Sequence, residues 1–230
     1  MSDTPSPANL ASADDFDARL KRADEDRWLA TRYAPATARE RLVALYLLNQ
    51  ELQRALHAKE AMLGKIRLQW WRETLEQLGG AGPLRRHDLA EELARVTAGR
   101  QDLLAPMNTL VDAYDDVLDD HLQAGGHQAG EAHETRHLAV EGAMMRLAGR
   151  ALDQGADESA LAALARAGEA RLALNAGLEG AKARWTAAAA GLRQAPATVW
   201  PAVLHLAAVD AGTPFRKRWR MFIAALRRRL

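Results

Sequence analysis

Cysteine is absent from the 230-residue sequence, and its absence excludes disulfides, thiolate nucleophiles and cysteine metal ligands. The sequence also lacks an uncharged apolar run of the about 18 residues that a membrane-spanning helix needs. Residues 1–16 contain neither a basic residue nor an apolar core, so they do not resemble a secretory signal. These absences indicate a cytoplasmic protein, and peripheral attachment to the inner face of a membrane stays an open alternative.

β-Branched residues are sparse, whereas alanine, leucine and arginine dominate the sequence. Such a composition favours helix throughout, and no stretch of useful length shows the alternation of a strand. We therefore predict an all-α protein that forms a single multi-helix bundle. The formal net charge is only +1, so the chain as a whole is not suited to a polyanion, and no nucleic-acid partner is expected.

Prolines and glycines divide the sequence into segments. Residues 1–12 are predicted to be a disordered tail because they hold two prolines and several small polar residues. Residues 13–230 are predicted to form one helical domain. Asp14 or Asp15 is expected to cap a first helix that runs to Tyr33. A second helix is predicted to start at Pro35, and a third is predicted to end at Gly79. Further helices are predicted at 87–99, 105–123, 132–153, 157–192 and 199–209, and a last one after Pro214.

The segment GKIRLQWWRE, residues 64–73, combines two adjacent tryptophans with three basic residues. Consecutive residues of a helix project about 100° apart, so Trp70 and Trp71 cannot both occupy the centre of one face. We predict that one packs in the core while the other reaches a groove or a helix junction, and we interpret the pair as structural. The basic residues of the segment are Lys65, Arg67 and Arg72.

Two polar patterns are further candidates for chemistry. Asn49, Gln53 and His57 recur at four-residue spacing, which is typical of a solvated helix face. The run DAYDDVLDDH, residues 112–121, places several aspartates four residues apart, so their carboxylates can project together and hold a cation. A solvated acidic face is the other interpretation. We call the aspartates concerned the acidic cluster: Asp115, Asp116, Asp119 and Asp120.

The C-terminal segment FRKRWRMFIAALRRRL, residues 215–230, contains basic residues and no acidic one. Its apolar residues follow helical spacing and form one stripe. Two interpretations stay open: a final bundle helix with a cationic outer face, or attachment to anionic lipid or an acidic partner. The stripe comprises Phe215, Trp219, Phe222, Ile223, Leu226 and Leu230, and the basic residues are Arg216, Lys217, Arg218, Arg220, Arg227, Arg228 and Arg229.

The run LVALYLLNQELQRALHAKEAMLGKIRLQWWRETLEQL, residues 42–78, resembles the N-terminal signature of the squalene/phytoene synthase family. Weaker similarity continues through HLAVEGAMMRLAGRAL, so the resemblance covers most of the chain. It implies the all-helical isoprenoid synthase fold. Active members of the family join two prenyl diphosphates head to head, with Mg²⁺ held by two aspartate-rich motifs. The stretch IRLQWWRE is especially similar to the complex I assembly factors of this family, which lack those aspartates.

This sequence departs from the family at both metal motifs. The resemblance places the aspartates of the first motif at Gln53, Arg54 and His57, and none of these is a carboxylate. It places the second motif at Glu179, whose spaced partner is Ala183. Because proteins hold Mg²⁺ through carboxylate oxygens, we interpret both motifs as vestigial. The resemblance makes three basic residues candidate diphosphate contacts: Lys65, Arg67 and Arg72. Solvated basic side chains are the other interpretation.

Three functions stay open. The first is a family member without activity or cofactor, which acts as a membrane-associated scaffold or assembly factor and binds a prenyl lipid, an anionic membrane surface or a protein. The second is an active transferase that joins prenyl diphosphates, with Mg²⁺ held by the acidic cluster and Glu179. It requires the cluster to face a cavity opposite Glu179. The third is a helical adaptor with no connection to prenyl chemistry.

Overall fold

The computed structural model describes residues 7–123, 131–208 and 211–230, and it describes side chains at 15–122, 134–208 and 211–230. Within these ranges the regular structure is helical and includes no strand, which confirms the all-α prediction. Short 3₁₀ segments lie at Gln101–Leu103, Ala197–Ala202 and Leu204–Ala207. The α-helices are α1 (Pro7–Ala23), α2 (Glu25–Thr31), α3 (Ala36–Leu56), α4 (Ala61–Leu78), α5 (Asp88–Val96), α6 (Leu104–Gln123), α7 (Glu131–Leu152), α8 (Glu158–Asn175), α9 (Ala181–Leu192) and α10 (Pro214–Arg227).

Proline and glycine decide several helix boundaries. As predicted, α3 begins directly after Pro35 and α4 ends before Gly79. The prediction of one helix over 157–192 is wrong, because the chain turns between α8 and α9. Gly177 and Gly180 lie in that turn with φ angles of 71° and 68°. Residues with a Cβ rarely adopt this left-handed conformation, so the two glycines end one helix and start the next.

The N-terminal region also differs from its prediction. α1 begins at Pro7 rather than at Asp14 or Asp15. The first predicted helix is broken at Asp24, whose carboxylate accepts a hydrogen bond from the backbone N–H of Arg27 at 2.9 Å and caps α2. Residues 1–6 lie outside the described residues. The division of the chain into a tail and one domain stays a prediction.

The segment predicted as an α-helix at 199–209 forms 3₁₀ turns where it is described. Pro201 lies inside the first of these turns. Proline has no N–H to donate, and its ring crowds the preceding turn of an α-helix, so a regular α-helix is disfavoured here. Residue 209 lies outside the described residues.

α3 is the central helix of the bundle. It contacts α1, α2, α4, α5, α6 and α7, and residues 42–49 are all buried. A stretch of helix that is almost entirely apolar is stable only when other helices surround it, which explains the position of residues 42–49. The core around α3 is one continuous cluster that extends from Phe16 in α1 to Ala224 in α10.

A largely buried ion pair lies inside the bundle and joins α2 to α7. Nη2 of Arg27 donates to both carboxylate oxygens of Glu141 at 2.7 Å, and Nη1 donates to Asp24 at 3.0 Å. The Arg27 guanidinium also lies 5.5 Å from the ring centroid of Tyr46 on α3. His205, from a 3₁₀ segment, lies 3.8 Å from Glu141. The ion pair is therefore a meeting point of four elements.

Each partner of this ion pair keeps the other charged. Burial alone would raise the pKa of Glu141, but Arg27 and His205 lower it to about 2 from an ordinary value of 4.5. Burial would lower the pKa of Arg27, but Glu141 and Asp24 raise it above its ordinary value. Because folding depresses the pKa of Glu141, the stability gained from its ionisation is present above pH 4.5 and is lost as the pH falls toward 2.

We expect Glu141→Gln to lower the free energy of unfolding by about 3 kcal/mol at neutral pH, because it leaves the Arg27 charge without its main partner. The difference from the unsubstituted protein should shrink as the pH falls from 4.5 toward 2, since the unsubstituted carboxylate takes up a proton in that window. Urea unfolding at a series of pH values measures both effects.

Glu158→Gln is the matched control, because Glu158 forms an ion pair with Arg146 at the surface. Its loss should lower the free energy of unfolding by less than about 1 kcal/mol. Equal losses in the two variants would contradict a structural role for the Arg27–Glu141 pair.

Gly64 lets α4 approach α3 and α6 closely. A Cβ at this position would lie 2.6 Å from the carbonyl oxygen of Ala55 and 2.8 Å from Cδ2 of Leu118. A backbone carbonyl cannot rotate aside as a flexible side chain can, so a larger residue would displace α4 itself.

Gly64→Ala should therefore lower the free energy of unfolding by about 1–3 kcal/mol through overpacking. Gly191→Ala in α9 is the control, since a Cβ there meets no atom within 4 Å. That substitution should stabilise the protein by about 0.4–1 kcal/mol, because alanine restricts the unfolded chain. Chemical unfolding monitored by circular dichroism measures both values, and a stabilising Gly64→Ala would show that the contact is not tight.

Candidate functional site

The two adjacent tryptophans of α4 occupy different environments. Trp71 is buried, whereas Trp70 is partly buried and packs at the edge of the core. Their ring centroids lie 4.9 Å apart with the planes at 89°, an edge-to-face arrangement that aromatic rings favour. His87, directly before α5, contacts both rings at centroid distances of 5.2 and 5.4 Å. This confirms the prediction that one tryptophan packs in the core and the other reaches a helix junction.

A groove of about 440 Å³ opens beside the tryptophan pair. Nη1 of Arg67 donates to the carbonyl oxygen of Arg54 at 3.2 Å, and Nη1 of Arg54 donates to Glu51 at 2.6 Å. The groove combines aromatic surface with two guanidinium groups, which suits an apolar partner that carries an anionic group. We call it the tryptophan groove, and its lining residues are Glu51, Arg54, Ile66, Arg67, Trp70, Trp71 and His87.

Sequence reasoning found part of this groove and missed the rest. It singled out the tryptophans and Arg67 but assigned no role in the groove to Glu51 or His87. The spacing of Glu51 and Arg54 is that of a helical ion pair, so a signal for that contact was present. His87 comes from a separate segment, and no local pattern connects it to α4.

The residues at the first motif lie on the outside of the bundle. Gln53, Arg54 and His57 are all exposed, and α3 ends at Leu56, so His57 follows its last turn. Of the three, only Arg54 lines the tryptophan groove. Their side chains offer a guanidinium, an amide and an imidazole, and none supplies a carboxylate oxygen.

The acidic cluster faces basic residues of α4. Nζ of Lys65 lies 2.6 Å from a carboxylate oxygen of Asp115 and 2.6 Å from one of Asp119. Nη2 of Arg72 lies 2.6 Å from Asp112 and 3.1 Å from Asp115. Lys65 and Arg72, two of the three predicted diphosphate contacts, are therefore ion-pair partners of predicted metal ligands.

Asp115 is the centre of these contacts. Burial alone would raise the pKa of Asp115, but Lys65 and Arg72 lower it below its ordinary value. At the other end of the cluster, Asp120 forms an ion pair with Arg136 of α7 at 2.8 Å, and Asp116 is exposed. Cations rather than solvent alone thus cover much of this face. In the described part of the chain, no group of three or more histidine or acidic side chains is arranged to hold a metal ion.

The residues at the second motif lie in and beside α9, whereas the acidic cluster lies on α6. Glu179 is in the turn between α8 and α9, and Ala183 is in the first turn of α9. Both are exposed, and neither lines the tryptophan groove. The carbonyl oxygen of Glu179 accepts a hydrogen bond from Arg184 at 2.5 Å. The resemblance implied that Glu179 lies on a long helix. That expectation is wrong, because α8 has already ended at Asn175.

α10 packs through residues outside the predicted apolar stripe. Met221 and Ala224 are its buried residues, and Met221 clusters with Leu29 of α2 and Ala208. Most of the predicted stripe is exposed instead. The outer face of α10 is therefore apolar as well as cationic, which corrects the interpretation of α10 as a bundle helix whose outer face is only cationic. None of the described helices is both long and apolar enough to cross a membrane.

Comparison with known proteins assigns the family. The model of the squalene/phytoene synthase family matches residues 20–170, and this chain belongs to that family. Searches of curated proteins and of solved structures found no significant match. The matched range includes the first motif, the tryptophan pair and the acidic cluster. Glu179, Ala183 and α10 lie beyond it.

We expect Asp115→Asn to lower the free energy of unfolding by about 1–2 kcal/mol, between the values for exposed and buried ion pairs, because it removes the shared partner of Lys65 and Arg72. Asp116→Asn, one residue further along, should have little effect because its side chain is exposed. Thermal unfolding with and without added Mg²⁺ measures the difference. A rise in Tm with Mg²⁺ that Asp115→Asn abolishes would contradict the structural interpretation and assign a metal to the cluster.

Proposed function

We propose that this family member has lost Mg²⁺-dependent condensation of prenyl diphosphates and acts as a membrane-associated scaffold or assembly factor. The observation that carries the proposal is at the first motif, where Gln53, Arg54 and His57 provide no carboxylate and lie on an exposed surface. Mg²⁺ binds proteins mainly through carboxylate oxygens and substrate phosphates. These positions therefore cannot supply the protein's share of a metal site.

The ion pairs of the acidic cluster also argue against relocated ligands. A metal at Asp115 and Asp119 would have to displace Lys65 from both carboxylates. The same lysine and Arg72 would then have to turn toward a diphosphate, although Arg72 contacts Asp112 and Asp115. Each change breaks a charge-assisted contact that now joins α4 to α6.

The surface that the bundle retains suits binding rather than ionisation chemistry. Tryptophan and arginine are the residues that most often dominate protein interfaces, and the tryptophan groove presents two of each. Trp70 and Arg67 lie in the stretch IRLQWWRE that is similar to the complex I assembly factors. We infer that the groove contacts a protein partner or a prenyl lipid, with no cofactor required.

The test is incubation of the purified chain with farnesyl or geranylgeranyl diphosphate, with and without Mg²⁺. We expect no pyrophosphate release and no condensed product above the level without protein, because the motif positions lack metal ligands. An active family member, prepared and assayed in parallel, shows that the conditions support turnover. Mg²⁺-dependent pyrophosphate release with formation of a head-to-head product would sink the proposal.

A binding measurement separates the two ligand classes for the tryptophan groove. Quenching of tryptophan fluorescence by farnesyl diphosphate, lost in Arg67→Gln but kept in Lys182→Gln, would identify a prenyl ligand. Arg67 lines the groove, whereas Lys182 is exposed on α9. Absence of quenching would direct the search to protein partners.

A further inference from the structure

α10 is fixed to the bundle along one narrow face. Met221 and Ala224 are only 1% and 2% exposed, and Nζ of Lys217 forms an ion pair with Asp26 of α2 at 2.7 Å. These three residues of α10 are spaced four and three apart, so they lie on one side of the helix. The contacts leave the opposite side of α10 away from the bundle.

That opposite side is apolar. Phe215, Trp219, Phe222 and Leu226 are spaced four, three and four residues apart, and they are 75%, 55%, 48% and 69% exposed. Trp219 and Met221 are two positions apart, so their side chains project about 200° from each other. An exposed apolar row of this length on a described helix marks an interaction surface. We call these four residues the outer stripe.

Arginines border the outer stripe on both edges. Arg216 follows Phe215 and Arg227 follows Leu226, which places both about 100° to one side. Arg218 precedes Trp219 and so lies about 100° to the other side. All three are exposed. Residues 211–230 contain no acidic residue, so the surface presented by the end of the chain is apolar along its middle and cationic along its edges.

A groove of about 580 Å³ lies next to this stripe. It shares Trp219 with the stripe, and Arg220 and Arg229 also line it. Arg171 and Trp185, which approach from α8 and α9, complete its cationic and aromatic lining, with the guanidinium 5.5 Å from the Trp185 ring centroid. The concentration of positive charge thus continues from α10 onto the neighbouring part of the bundle.

We propose that α10 lies in the plane of an anionic lipid bilayer, with the outer stripe inserted among the acyl chains and the bordering arginines at the level of the phosphates. Interfacial helices have this arrangement: an apolar face that includes tryptophan and phenylalanine, and long cationic side chains at its edges. Arg229, which lines the adjacent groove, is exposed and extends this cationic border. The inference deepens the proposed membrane association, on which it rests, and it does not depend on the loss of condensation.

Charge complementarity favours an anionic bilayer over a second copy of this chain. Two copies joined through α10 would bring the arginines of both chains together around the outer stripe, and these like charges would repel each other. Anionic lipid instead attracts each basic residue near its surface and accepts aromatic side chains at the interface.

The test is partitioning of the full chain onto vesicles of phosphatidylcholine alone or mixed with phosphatidylglycerol, measured by flotation. We expect binding to the anionic vesicles that weakens with added salt. The double variant Trp219→Ser and Phe222→Ser should bind at least about tenfold more weakly, because it removes the inserted aromatic surface. Met62→Ser with Leu63→Ser is the control, since both residues are exposed apolar residues of α4, and it should bind as the unsubstituted chain does.

A second pair of variants tests the charges. Arg216→Gln with Arg218→Gln should weaken binding about fivefold for each arginine removed. Lys182→Gln with Arg193→Gln changes the net charge equally at exposed positions of α9 and just after it, and it should have little effect. Equal losses in the two double variants would overturn the proposal, because they would show adsorption by net charge without an oriented surface.

Insertion is distinguished from adsorption by brominated lipid. Quenching of tryptophan fluorescence by the brominated lipid should be strong in the unsubstituted chain and weak in Trp219→Phe. This variant keeps an aromatic side chain in the outer stripe, so it should still bind the vesicles. Absence of binding to anionic vesicles overturns the inference, as does self-association that Trp219→Ser with Phe222→Ser abolishes. The pyrophosphate assay tests the loss of condensation separately, so a failure here leaves that part of the proposed function intact.

Discussion

The Arg27–Glu141 ion pair is the contact on which the positions of the outer elements depend. It joins residues 114 positions apart in the chain and fixes α2 against α7 inside the bundle. α2 in turn carries Asp26, which holds Lys217, and Leu29, which packs with Met221. These contacts, together with those between α10 and the 3₁₀ segment Leu204–Ala207, orient α10 and therefore its outer stripe. A largely buried charge tolerates few alternative arrangements, because any other leaves it unpaired.

Opposite charges serve the packing of α4 on α6 as well. Lys65 and Arg72 are two of the three residues that the family resemblance makes candidates for diphosphate binding, yet each contacts aspartates of α6. A metal-dependent site would need those aspartates free for the ion and those cations free for the substrate. In this chain the aspartates of α6 and the cations of α4 neutralise each other, so these charges stabilise the bundle. A family member with aspartates at the first motif would use the same bundle for chemistry.

Two exposed surfaces carry the proposed functions. The tryptophan groove lies on α3, α4 and the segment before α5, within the range that the family model matches. The outer stripe lies on α10, beyond that range. The proposed scaffold role would use this separation, because one surface would hold the protein at its location while the other stays available to a partner. The shared core around α3 keeps the two surfaces in a fixed relation.

The sequence by itself determined the helical class, the start of α3 after Pro35, the end of α4 before Gly79, and the separate environments of the two tryptophans, because all of these follow from local chemistry and helical spacing. The family came instead from the resemblance of residues 42–78 to a known signature. It did not determine that Gly177 and Gly180 divide a long alanine-rich stretch, since glycine is also tolerated within helices. Only the tertiary structure decided which face of α10 is buried. Met221 and Ala224 follow helical spacing just as the outer stripe does. The choice between the two apolar rows depends on α2, which is distant in sequence, and on Ala208, which lies outside α10. The partners of Asp115 were decided in the same way, because an ion pair between helices depends on how those helices pack.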